Sequence, residues 1–558
     1  MENFSPDQLF WVAKDSGDAC QAISTSGEVS EVDCAETLPG LCTQSAPVST
    51  AETNDDPTDY HIDHAVGSSV YTGFRDHFVF KFRGIRFAAQ PPRFSHATLH
   101  QPEGTEPIPA LKAGANCLQA AEEASGSSED CLFLNIWTPT LPPKSGVPKD
   151  KLKPVMFYIY GGAFTSGSSK NTNTDGTNLA SRGDVVSIAS NYRVSTLGFL
   201  SLNDGVHDGN YALSDVITAL EWVQQNAESF GGDPERVTIF GESAGAGFVR
   251  ALLAAPKAQG LFSNAISQSG PAGLSVNEHG LSAYLNSVEY EYEHTTLPVL
   301  NATGCADAED VLGCLRDFDG AELVGLDAIA ANVVQDGTYM TTSHLPLDGS
   351  GVANDVVVMS GTNRDELGVD LPPLPEGTTI DDALAMFQAV LGVDARPLLD
   401  SGVFPLPEDP APDDLVKWLV RVATDGVYTC METATNHAAA QTGAYKELYS
   451  FEFNRTFSPR GYTQPHCDAP ATEEFPDGDA EKEYMKCHAG EQMIVFGTIL
   501  RAGLPDRDGL DVPFMQLVVD YWSAFAHGRD PNPDEGYLVA RGYTGTLAQV
   551  GSAGRWEA

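Results

Sequence analysis

Residues 237–247 read VTIFGESAGAG, and this short run constrains the fold more than any other part of the chain. Gly241-Glu242-Ser243-Ala244-Gly245 fits G-x-S-x-G, a sharp strand-to-helix turn that lifts a nucleophilic serine into a cleft. Val237-Thr238-Ile239-Phe240 reads as a buried strand before it, and Gly247 to Ala255 continues as a helix after it. The glycines have a physical reason: the serine backbone is strained there, and a side chain at either flanking position would collide with the neighbouring strand or helix.

The rest of the chain alternates in the same manner. Strand-like runs recur at Phe78–Phe82, Leu132–Trp137, Val155–Tyr160, Val185–Ala189, Val356–Met359 and Glu447–Phe453, and a helical pattern runs from Leu213 to Ser229. Apolar strands separated by helices predict an α/β architecture: a large, mostly parallel sheet flanked by helices. Residues 1–50 read as a Cys-rich extension packed on the core, carrying Cys20, Cys34 and Cys42, and 51–558 as the catalytic domain. The polar segment Ser45–Asp59 reads as a strap between them. Pro-rich stretches at Leu371–Pro375 and Phe404–Pro412 bracket a helical insertion that shapes the cleft.

Composition narrows the function. With 77 acidic against 32 basic residues the formal charge is −45, which repels nucleic acid and anionic membranes. No apolar run approaches the roughly 18 residues needed to span a bilayer, so no stable membrane insertion is expected. Ten cysteines without a C-x-x-C pair argue for disulfides over a metal site. Cys117/Cys131 and Cys305/Cys314 are spaced for small closed loops of an oxidising compartment. Sequons at Asn3, Asn301 and Asn454 point the same way. The expected location is extracellular, with any signal peptide already removed.

A serine nucleophile needs a base, an orienting acid and donors for the oxyanion. The run Val155–Tyr160 leads into Gly161-Gly162-Ala163-Phe164, where bare backbone N–H groups can face a substrate oxygen. Either Asp365 or Glu366, just past Val356–Met359, is placed to be the acid. For the base, His488 stands before the apolar Met493-Ile494-Val495-Phe496, with His466 and His527 as rivals on position.

Blocks in order then carry a resemblance. They are Phe82-Arg83-Gly84-Ile85-Arg86-Phe87-Ala88, Ser128-Glu129-Asp130-Cys131-Leu132, Tyr160-Gly161-Gly162-Ala163-Phe164, Asn191-Tyr192-Arg193, Gly209-Asn210-Tyr211-Ala212-Leu213-Ser214-Asp215 and Phe230-Gly231-Gly232-Asp233-Pro234, leading into Gly241–Gly245. Over roughly residues 60–540 the chain resembles the type-B carboxylesterase/lipase family, which includes the cholinesterases and has the α/β-hydrolase fold. The resemblance implies Ser243 as nucleophile, Glu366 as acid and His488 as base. It implies oxyanion donors at the N–H groups of Gly162, Ala163 and Ala244, with Glu242 and Ser269 supporting them. Cys117–Cys131 and Cys305–Cys314 correspond to family disulfides, and Cys467–Cys487 is expected to tighten the loop that delivers His488.

Departures from the family shape the substrate expectation. The Cys117–Cys131 loop is short and lacks tryptophan, so it offers neither the cation–π platform of cholinesterases nor a lipase lid. The loop Phe457–Glu483 is long and acidic and is expected to shape the entrance. The reading is a secreted serine carboxylic-ester hydrolase acting on a soluble small-molecule ester, needing no cofactor and no metal. A lipase or sterol esterase is the alternative within hydrolases. A non-catalytic adhesion protein is the alternative outside them, disfavoured because the serine, acid and base are all kept.

Overall fold

Valine, isoleucine and phenylalanine crowd the strand segments, and their alternation with helices builds one large sheet. The computed structural model describes residues 9–12, 20–36, 38, 46, 48, 60–102, 104, 106–120, 126–143, 146–271, 275–277, 280–282, 284–353, 355–458, 465–553 and 555–557. The strands of the main sheet are β1 (His61–Val66), β2 (Ser69–Asp76), β3 (Val79–Arg86), β4 (Phe133–Thr138), β5 (Lys153–Ile159), β6 (Val186–Ser190), β7 (Gly232–Glu242), β8 (Asn264–Gln268), β9 (Val357–Asn363) and β10 (Glu447–Phe453). Their spatial order is β10-β9-β8-β7-β5-β6-β4-β3-β2-β1, with the short Ile108–Pro109 paired to β2 as the eleventh strand.

From β10 to β6 every pairing is parallel. From β6 through β4, β3 and β2 to β1 every pairing is antiparallel. The connections account for the outer three strands. Two-residue turns at Gly67-Ser68 and His77-Phe78 leave no length for a crossover helix, so β1, β2 and β3 can only fold back as hairpins. Gly67 and His77 both take positive φ there (59° and 45°). Helices α1 (Tyr211–Asn226), α2 (Ala244–Ala254) and α3 (Asp511–Gly528) flank the sheet. Strands β5, β6 and β7 are buried almost throughout, as a sheet flanked by helices requires.

Chain order also places the crevice. From β5 the chain goes to one side to form β6, then crosses to the other side to form β7. At such a switch point the loops after adjacent strands diverge and open a crevice beyond the carboxyl ends of the strands. Both Gly161–Phe164 and Ser243 emerge there. A satellite core around Leu384, Phe387, Leu415, Trp418 and Leu419 holds the helical insertion, and Cys467 and Cys487 pack into it.

Outside the main sheet, Leu9–Trp11, Cys20–Ser24 and Val29–Val32 form a separate three-stranded antiparallel sheet. Disulfides join Cys20–Cys34, Cys117–Cys131, Cys305–Cys314 and Cys467–Cys487, with Cα separations of 5.2, 4.9, 5.7 and 5.6 Å. Cys430 carries no disulfide, and Cys42 lies outside the described residues, as does Asn3. Asn301 and Asn454 are exposed. Among the described residues no helix is long and apolar enough to cross a membrane.

Candidate active site

Ser243 sits between β7 and α2 with φ 57° and ψ −123°, a backbone state that costs a non-glycine residue roughly 1–3 kcal/mol. The turn is held by Ser243 N–H donating to the Gln268 carbonyl on β8 and Gly247 N–H donating to the Ser243 carbonyl, both at 3.0 Å. Its glycines are steric necessities. A Cβ on Gly241 would come within 2.5 Å of the Gly245 backbone, and one on Gly245 within 2.0 Å of the Ile159 carbonyl oxygen.

The loop after β5 comes against the serine directly: a Cβ on Gly161 would lie 2.9 Å from Ser243 Cβ. Gly162, Ala163 and Phe164 follow with φ of 113°, 53° and 61°, three successive residues in the left-handed half of backbone space. Turns of this kind direct N–H groups into a common concavity that suits an anion. Tyr160 and Tyr192 fix its base by stacking at 4.2 Å and exchanging hydroxyl-to-carbonyl bonds at 2.9 and 2.8 Å. Ala244 is the first residue of α2, where helix amides have no partner within the helix.

Glu366 lies just past β9 and His488 on the segment after β10. Glu366 is wholly buried and its Oε2 is 2.6 Å from His488 Nδ1. Its Oε1 accepts from Asn363 N–H at 2.6 Å, and His488 N–H donates to its carbonyl at 3.1 Å. Asp365, the other candidate acid, is engaged elsewhere: it pairs with Arg364 at 2.7 Å and accepts from Lys486 N–H at 2.8 Å. His466 is bonded to the Gly368 carbonyl, and His527, on α3, to that of Gly183. Neither rival histidine joins this constellation. Ser269, with φ 53°, donates its N–H to Gly361 and is buried beside the serine turn.

Two further buried carboxylates surround the same imidazole. Glu242 Oε1 lies 3.2 Å from His488 Nε2, and its Oε2 accepts from Gln492 Nε2 at 2.6 Å. Glu491 accepts from Asn363 Nδ2 at 2.6 Å and from Gln268 Nε2 at 3.0 Å, and Trp522 Nε1 in turn donates to Gln268 Oε1 at 3.2 Å. Burial raises the Glu242 carboxyl above the usual carboxylate range and Glu491 and Glu366 add to the rise, while the His488 imidazolium opposes it and favours the charged form. Burial and Glu366 likewise raise Glu491. Burial alone would lower the imidazole, but Glu242 and Glu366 outweigh it and push His488 up to about 10.

Asn363, Gln268, Glu491, Gln492 and the Tyr428 ring, 5.4 Å from the imidazole, are absent from the sequence reading. Glu491 and Gln492 stand three and four positions after His488, a spacing that shares one face of a helical turn, and that is the one signal the sequence offers.

Among the described residues the carboxylates of Asp506, Asp508 and Asp511 lie within 4.8 Å of one another. Arg507 and Arg455 each reach Asp511 at 2.8 Å, so guanidinium groups already supply the positive charge there. A cavity of about 770 Å³ lined by Asp520, His527, Asp534 and Tyr537 includes no residue of the serine constellation.

A large mixed sheet whose parallel half carries a strained serine turn at its switch point, with a histidine–glutamate pair beside it, belongs to the α/β-hydrolase class. Residues 66–550 match the carboxylesterase family. The chain is similar to the bile salt-activated lipase of Bos taurus, 30% identical over 491 residues that cover 81% of this chain and 75% of that protein. It is 34% identical to the pyrethroid hydrolase Ces2e of Rattus norvegicus over 58% of this chain and 57% of that one. It is 30% identical to neuroligin-2 of Mus musculus over 75% and 51%. This chain spans little more than half the length of the last two. The protein belongs to the carboxylesterase family, and carboxylesterase is the enzyme class that membership defines.

Proposed function

We propose that the protein hydrolyses carboxylic esters through Ser243, His488 and Glu366. The supporting observation is the 2.6 Å contact of His488 Nδ1 with a fully buried glutamate whose other oxygen is already taken by Asn363 N–H. That pair fixes the tautomer with Nε2 free to accept a proton. His488 takes the Ser243 proton as Oγ attacks the ester carbonyl. The N–H groups of Gly162, Ala163 and Ala244 receive the oxyanion. Collapse expels the alcohol with a proton from His488, leaving an acyl-serine that water clears by the same steps. The substrate is a soluble small-molecule ester reached without a lid. The short Cys117–Cys131 loop supports this, although its residues 121–125 lie outside the described ones. Among the described residues, four disulfides and two exposed sequons favour action outside the cell.

Ser243→Ala is expected to abolish turnover and labelling by a fluorophosphonate with no fall in melting temperature; retained turnover would sink the assignment. A p-nitrophenyl ester series from acetyl to palmitoyl tests the substrate class. Preference for short chains supports the soluble ester, whereas a jump in rate at the emulsion boundary identifies a lipase.

A further inference from the structure

Glu242 presents a chemical problem if His488 is the base. Its Oε1 is buried, has no hydrogen-bond partner and lies 3.2 Å from His488 Nε2. The contact is one of charge, without the alignment of a hydrogen bond. A carboxylate turned so that Oε1 met the Nε2–H axis would hydrogen-bond the imidazolium. The base would then be tied to glutamate and withheld from serine. Oε2 accepts from the Gln492 amide at 2.6 Å, a bond that opposes such a rotation. Gly161 packs against the same oxygen, where a Cβ would lie 2.7 Å from Oε2.

We propose that Gln492 is a positioning residue that keeps the Glu242 carboxylate out of line with His488 Nε2, so that Glu242 attracts the imidazolium by charge without competing with Ser243 for it. The inference rests on the serine-esterase reading above. Gln492 opens the short helix Gln492–Val495, and the turn over 488–491 joins it to His488, so the amide and the imidazole lie on one short stretch of chain. The titratable and charged groups facing Glu242 are His488, Glu366 and Glu491, together with the Tyr192 hydroxyl. Of these only His488 carries positive charge, so a released carboxylate has one place to turn.

The test is a cycle of Gln492→Met, which keeps length and removes the donor, with Glu242→Gln. Q492M is expected to lower kcat/KM about tenfold at neutral pH, the worth of a charge-assisted hydrogen bond, with KM nearly unchanged. The acid limb of the pH profile should move to higher pH, because an aligned carboxylate stabilises the imidazolium. In the E242Q background the same change should have less than about a twofold effect, since the competitor is gone. An unmoved acid limb, or equal losses in both backgrounds, overturns the inference. If Q492M does not fold, Q492A carries the same comparison. Fluorophosphonate labelling of wild-type Ser243 separates the two readings. Failure to label sinks the esterase mechanism, while normal labelling with an unmoved Q492M profile sinks only the role of Gln492.

Discussion

At the scale of single residues, the site is an exercise in holding charge where water would otherwise hold it. Three buried carboxylates face one imidazole, and each is restrained by amides: Glu366 by Asn363 N–H, Glu491 by the Asn363 and Gln268 side chains, Glu242 by Gln492. Glu366→Gln should cost about 10⁴-fold in kcat by removing the charge that orients and stabilises the imidazolium. Asp365→Asn, which loosens only a backbone contact and an arginine pair, should cost less than tenfold. Steady-state kinetics on both variants would return the acid to position 365 if the order were reversed. Because neighbouring carboxylates raise the His488 pKa, the neutral base accumulates only as pH rises, and the acid limb of kcat/KM should lie above 6.5. Glu242→Gln removes one of those charges and should shift that limb to lower pH.

At the scale of elements, what differs between the two halves of the sheet is how each is anchored. The parallel half is covered by helices and carries its loops to the crevice, and Cys467–Cys487 ties the segment that delivers His488 into the satellite core. The antiparallel half is pinned by a buried ion cluster. Lys81 on β3, fully buried, contacts Asp76 of β2 at 2.6 Å and Asp175 at 3.0 Å, and Arg501 reaches Asp76 at 3.1 Å. Asp175 also accepts from Trp137 on β4 at 3.3 Å. Burial would raise Asp175, but Lys81 and Arg501 win and lower it. A carboxyl depressed on folding stabilises above its unfolded pKa of about 3.9, and that contribution is lost as pH falls towards the folded value. Lys81→Met leaves two buried carboxylates to Arg501 alone and is expected to cost about 3 kcal/mol in denaturant unfolding. A loss under 1 kcal/mol would mean that Arg501 alone neutralises the cluster.

At the scale of the whole molecule, a formal charge of −45 makes self-repulsion a general term in stability. Salt shortens the range of that repulsion, to about 10 Å at 0.1 M, so the melting temperature should climb between low and moderate ionic strength. A flat response would show that the acidic groups are already compensated locally. This property is legible in composition because net charge needs no geometry. The serine turn and the loop at Gly161–Phe164 are legible as well, because their steric demands fall on adjacent residues: a glycine is needed where a Cβ would strike Ile159 or Ser243. The parallel strands from Val155 to Phe240 read from apolar runs for the same local reason, and the hairpin end is written in its two-residue turns. The choice between Asp365 and Glu366 is of another kind. Both are acids in one loop, and only the course of the chain from β9 turns one to the imidazole and the other to Arg364. The Glu242–Gln492 bond joins positions 250 residues apart, and Glu491 meets Gln268 across 223. No local pattern encodes such pairs, because they exist only where the sheet brings the ends of β7, β8 and β9 beside the segment carrying His488. The sequence by itself determined the strained serine turn, the alternation of strand and helix and the charge. Tertiary structure alone decided that Glu491 joins Glu366 and Glu242 around the His488 imidazole and which amides restrain them, because those contacts are made between distant segments.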